Sequence, residues 1–67
     1  MIQVSVNGEP RSVGSDATVA ALLAEMQLTG KRVAVERNGE IVPKSLHGTT
    51  PLIAGDKLEI VVAVGGG

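Results

Sequence analysis

Three consecutive glycines, Gly65-Gly66-Gly67, follow the apolar run Leu58-Glu59-Ile60-Val61-Val62-Ala63-Val64 and close the sequence. Glycine has no Cβ, so its backbone passes through gaps that exclude other residues, and three extended residues reach about 10 Å. Such a tail presents a terminal carboxylate inside a narrow channel of another protein. A C-terminal carboxyl titrates at about 3.3–3.7. Near neutrality it is an anion that resists nucleophiles until a partner enzyme, consuming ATP, turns it into an acyl donor. The plain alternative is a frayed chain end with no role. Against it stands the direct junction of strand and glycines, with no polar spacer or tag between them.

No other residue set competes for this chemistry. The single His47 lies near Lys44 and Thr49 with no acid or nucleophile at motif spacing, so a solvent-exposed place is expected for it. With no Cys there is no disulfide framework, thiolate metal site or thiol nucleophile. The chain holds no Ser/His/Asp set, carboxylate pair, phosphate-binding loop or metal-ligand cluster, and the expectation is that it is not an enzyme and binds no cofactor or metal of its own. Any sulfur it handles must sit somewhere other than a side chain.

Partner classes are narrowed in the same way. Phe, Tyr and Trp are all absent, so no ring is available for base stacking. Six basic against seven acidic side chains, net −1 and without a like-charge block, give neither a phosphate-backbone footprint nor a polybasic membrane anchor. No nucleic acid and no membrane is therefore expected. No apolar stretch nears the roughly 18 residues of a membrane span. Met1-Ile2-Gln3-Val4 lacks the basic start and apolar core of a signal peptide, so the cytoplasm is the expected compartment.

The elements that must position the tail are readable from periodicity. At 67 residues the chain is one domain with a small, marginal core. Ile2, Val4 and Val6 alternate with Gln3 and Ser5 as a half-buried strand, and Asn7-Gly8 turns it into a partner over about Glu9 to Val13. After the loop Gly14-Ser15-Asp16, with Thr18 or Asp16 as N-cap, Val19, Leu22, Leu23 and Met26 form one stripe of an amphipathic helix. Gly30 suits the loop beyond its end. Val33 and Val35 open a third strand, Asn38-Gly39 makes a second hairpin, and Ile41-Val42 answers before Pro43 stops the ladder. A turn or short helical turn is expected around Ser45-Leu46-His47, Leu52-Ile53 should plug the core, and Leu58 to Val64 forms the closing strand. The sum is an α+β arrangement, a mixed sheet of about five strands packed on one main helix. Residues 1–64 are read as this domain and 65–67 as a flexible glycine tail.

In this order of elements the chain resembles the ubiquitin-like β-grasp superfamily, and within it the ThiS-like sulfur carriers of thiamine biosynthesis. The resemblance rests on Ile2 to Gly8, the helix start Ala17-Thr18-Val19-Ala20-Ala21-Leu22-Leu23, the segment Val33 to Lys44 with its Val-Glu-Arg-Asn hairpin followed by Ile-Val-Pro, the Gly55-Asp56 turn and Val64-Gly65-Gly66-Gly67. It implies that a ThiF-like adenylyltransferase uses ATP and Mg²⁺ to adenylate the carboxylate of Gly67. Sulfur from a cysteine desulfurase or another donor then replaces AMP, and thiazole synthase (ThiG-like) takes up sulfur from the resulting thiocarboxylate. Gly65, Gly66 and Gly67 would enter the partner active sites, and the carrier itself, a monomer when free, would catalyse nothing.

If Leu58, Ile60, Val62 and Val64 face the core, then Glu59, Val61 and Ala63 face outward, with Ala34 beside them between inward Val33 and Val35. The open sheet face is what activating enzymes hold in ubiquitin-like proteins, so Ala34, Val61, Ala63 and Val64 are the expected docking residues. Glu36, Arg37 and Glu40 are expected to keep a hairpin soluble. Three other functions remain open on the sequence: a molybdopterin-synthase small subunit, a ubiquitin-like modifier joined to lysines, and an interaction domain with idle glycines.

Overall fold

The computed structural model describes residues 1–63. Strand β1 (Ile2–Val6) pairs antiparallel with β2 (Glu9–Val13) across Asn7-Gly8. The helix α1 (Val19–Glu25) follows, then β3 (Val33–Arg37), which pairs antiparallel with the short β4 (Glu40–Ile41) across Asn38-Gly39. A single 3-10 turn at Lys44–Leu46 precedes β5 (Lys57–Val62). The sheet order is β2-β1-β5-β3-β4, with β5 parallel to β1 and antiparallel to β3.

Both Asn-Gly pairs adopt positive φ at both positions, 53° and 87° at Asn7 and Gly8, 54° and 87° at Asn38 and Gly39. This is the backbone hand that matches the strand twist of a two-residue hairpin, and it fixes register from Val6↔Glu9 and from Arg37↔Glu40 outward. Register decides which side chains are buried. Val4, Val6, Val13, Val35, Leu58 and Ile60 from the sheet meet Val19, Leu22 and Leu23 from α1 in one core, joined by Val42 and Leu52. Met26 packs half-buried against it.

The helix is only seven residues long, too short to persist on its own, and tertiary hydrogen bonds hold its start. The Thr18 hydroxyl accepts from the Ala21 amide at 3.2 Å, so Thr18 and not Asp16 is the N-cap. The amides of Val19 and Ala20 donate to the carbonyls of Thr50 and His47 at 3.0 and 2.8 Å. These are N–H groups that no helix can satisfy internally. At the other end Gln27, at φ 61°, makes the left-handed turn, with Leu28 N–H donating to Leu23 and Gln27 N–H to Ala24. The stop therefore comes three residues before Gly30, at a residue that adopts this conformation reluctantly.

Two further expectations are corrected. Leu52 is buried, but Ile53 beside it is exposed, because its amide donates to Asp56 and its side chain turns away from the core. His47 is buried, not solvent-facing. Its Nε2–H donates to the Val42 carbonyl at 3.1 Å while its own carbonyl caps α1, so the residue staples the 3-10 segment between β4 and the helix.

Candidate functional site

The site is built on β5 and its two neighbours. Along β5, Leu58 and Ile60 are buried while Lys57, Glu59 and Val61 are exposed, and Val62 is half-buried. Along β3, exposed Ala34 sits between half-buried Val33 and buried Val35. Ala34 pairs directly with Val61, and Glu36 with Glu59, so these four share the open face of the sheet. Ala63 is exposed, and its amide donates to the Arg32 carbonyl at 2.9 Å, which continues the β3–β5 ladder to the last described residue. The structure thus brings Ala34, Val61 and Ala63 together on one surface. Val61, 65% exposed, and Ile41, 64% exposed and paired with Glu36, are its largest exposed apolar groups among the described residues. Val64, Gly65, Gly66 and Gly67 lie outside the described residues.

Two acids directly opposite each other, Glu36 and Glu59, repel rather than pair, while exposed Lys57 stands two residues from Glu59 on the same face and exposed Ile41 pairs with Glu36, so the open face is apolar at the Ala63 end and of mixed character farther along. Arg37 does not soften this charge. It departs from its expected place as a solubilising hairpin residue because it reaches Asp56, donating from Nε to Oδ2 at 2.8 Å.

Asp56 is 5% exposed. It accepts two more hydrogen bonds, from the Asn38 side-chain amide to Oδ1 at 3.0 Å and from the Ile53 amide to Oδ2 at 2.8 Å. Burial alone pushes its carboxyl upward. The hydrogen bonds from Arg37, Ile53 and Asn38, with the adjacent guanidinium charge, outweigh burial and hold it below the ordinary carboxylate value.

Sequence reasoning treated Asn7 and Asn38 as turn formers alone. Both also clamp β5. Asn7 accepts from the Ile60 amide at 2.8 Å through Oδ1 and donates to the Ile60 carbonyl at 3.1 Å through Nδ2. Asn38 Oδ1 accepts from the Lys57 amide at 2.9 Å, and its own amide donates to the Lys57 carbonyl at 2.7 Å. One hairpin thus grips β5 from the β1 side and the other from the β3 side. Partners 53 and 19 residues away leave no local pattern, so nothing in the sequence could signal them.

Among the described residues no three His, Cys, Asp or Glu side chains gather as metal ligands, and no helix is long and apolar enough to cross a membrane. The geometry presents a central strand with an open, partly apolar face.

The ThiS family model matches residues 4–67. The chain belongs to the ThiS family. The sulfur carrier protein ThiS of Bacillus subtilis is 48% identical over 50 residues, covering 75% of this chain and 76% of that protein. A thiazole synthase of Paramagnetospirillum magneticum is 48% identical over 66 residues, which are 98% of this chain and 20% of the synthase. The chain therefore spans about a fifth of the length of that relative. The crystal structure of the thiamine biosynthesis protein ThiS from Geobacter metallireducens superimposes with a TM-score of 0.82 at 30% identity, covering 98% of this chain and 100% of that one. The ThiS-family fold is thus the ubiquitin-like β-grasp, with its five-stranded mixed sheet on one helix.

Proposed function

We propose that this ThiS-family chain is a sulfur carrier for thiazole formation in thiamine biosynthesis, with Gly67 as the acyl group that bears the sulfur. The observation that carries this reading is the family match running through residue 67. A ThiF-like adenylyltransferase, consuming ATP with Mg²⁺, joins the Gly67 carboxylate to AMP and releases pyrophosphate. Sulfide displaces AMP directly to leave a thiocarboxylate, whereas a persulfide from a cysteine desulfurase or another donor displaces AMP to give an acyl disulfide that a thiol reductant cleaves to the same thiocarboxylate, a soft nucleophile that thiazole synthase then uses. The chain is substrate and handle in these steps and catalyses none of them. Residues 1–64 serve as the handle, and Gly65, Gly66 and Gly67 enter each partner active site because side chains would block the way.

Docking falls to Ala34, Val61, Ala63 and Val64. The first three are exposed on neighbouring strands, a place where apolar side chains gain by being covered. The thiazole synthase relative, in which a fifth of the length matches 98% of this chain, supports thiazole synthase as one partner.

The test is thiol-specific alkylation after incubation with ATP, the adenylyltransferase and a sulfur source, read by intact mass and C-terminal fragmentation. The chain has no Cys, so any label reports a new thiol or thiocarboxylate. A label confined to Gly67 is expected. No label, with the adenylyltransferase active on another carrier, overturns the proposal.

A further inference from the structure

A groove of about 550 Å³ lies on the helix side of the molecule, away from the open sheet face, between α1, the loop leading into β3 and the 3-10 turn. Half-buried Ala20 and Val33 and buried Leu23 supply its apolar base, and exposed Lys31, Arg32 and Lys44 its polar rim. The chain as a whole is slightly acidic, with six Lys and Arg against seven Asp and Glu. Yet three of those cations line this one groove and none of the acids does. The ion pairs among the described residues are Arg11–Glu25 and Arg37–Asp56, so none of Lys31, Arg32 and Lys44 is in an ion pair with another described residue. The groove also adjoins the end of β5, since the Arg32 carbonyl holds the Ala63 amide. Arg32 thus stands beside Ala63, the last described residue.

We propose that this groove is a second docking surface, which takes an acidic segment with at least one aliphatic side chain from the enzyme that receives the tail. The inference rests on the sulfur-carrier reading above. Like charges crowded around a concave apolar base favour an anionic partner through complementarity, and such rim charges act chiefly on association rate and salt dependence.

The experiment measures the affinity of the chain for the purified adenylyltransferase and for purified thiazole synthase at several salt concentrations. Wild type is compared with the combined Lys31→Gln, Arg32→Gln and Lys44→Gln variant. All three side chains are exposed, and thermal melting should be unchanged. Affinity for at least one enzyme should fall 10-fold or more, with a shallower salt dependence. Carbodiimide should join Lys31 or Lys44 of the wild type to Asp or Glu of that enzyme. If wild type binds and the variant binds equally well, the groove proposal fails and the carrier reading stands. If crosslinks form at Lys57 instead, the groove proposal fails likewise. If wild type binds neither enzyme, both fall.

Discussion

Replacing Asp56 by Asn tests whether the buried carboxylate holds the two halves of the sheet's loop region together by charge or only by shape. The three donors aimed at Asp56 come from Arg37, Asn38 and Ile53. An Asn side chain offers one oxygen and one amide. If the oxygen faces Arg37 and Ile53, the amide meets the Asn38 amide, donor against donor. Rotating Asn38 would only move the conflict, because its oxygen already accepts from Lys57. Hydrogen bonds to charged groups contribute about 1.5–3 kcal/mol each, so losing one and weakening the Arg37 bond should cost about 2–3 kcal/mol. For a domain this small that is a drop in Tm of about 10–20 °C.

The assay is urea unfolding followed by far-UV circular dichroism, since Trp and Tyr are absent. It is run at pH 7 and again near pH 2.5. Because the Asp56 carboxyl is lowered in the folded state, the unfolded chain takes up the proton first. The contribution is therefore fully present above the unfolded value of about 3.9 and is lost as pH falls through the folded one. Asn does not titrate. The gap between wild type and Asp56→Asn should be wide at pH 7 and narrow at the acid end. Equal gaps at the two pH values, or no gap at pH 7, would refute the charge-based account.

Asn7→Gly should destabilise by about 1–3 kcal/mol, although glycine suits φ 53° better than asparagine, because both side-chain bonds to Ile60 disappear; faster hydrogen exchange at the Ile60 amide would mark the cause. Gln27→Gly should stabilise by about 0.5–1 kcal/mol by relieving the left-handed conformation at the end of α1, seen as a higher urea midpoint with unchanged slope. Glu59→Gln should raise stability by a few tenths to about 1 kcal/mol by removing its repulsion with Glu36, and the gain should shrink in high salt. Val61→Thr, a β-branched swap at an exposed position, should leave Tm nearly unchanged while measurably weakening binding to the adenylyltransferase by titration calorimetry.

The two hairpins and the outward face of β5 were legible because their signals are local. Asn-Gly dictates a turn within two residues, and alternation from Leu58 to Val62 dictates the face. The same alternation placed Ala34, Val61 and Ala63 correctly. What escaped notice depends on distant partners. Asp56 looks like half of a Gly-Asp turn until Arg37 and Asn38 come to meet it. His47 looks exposed because its burial depends on the Val42 carbonyl and on a first-turn amide of α1, Ala20 N–H, that no helix satisfies internally. Gln27 carries no sequence mark of a helix terminator, and Gly30 nearby draws the expectation away from it.

Because β5 lies between β1 and β3 and each flanking Asn-Gly turn grips it, a partner that draws on the chain beyond Ala63 loads those bonds along the strand axis. Bonds loaded along the strand share the force, and β5 has a row on each side, whereas an edge strand has one. The sheet order β2-β1-β5-β3-β4 keeps that strand off both edges. Single-molecule extension with residue 63 as one attachment point should therefore meet a higher rupture force than extension with that point in β2 or β4.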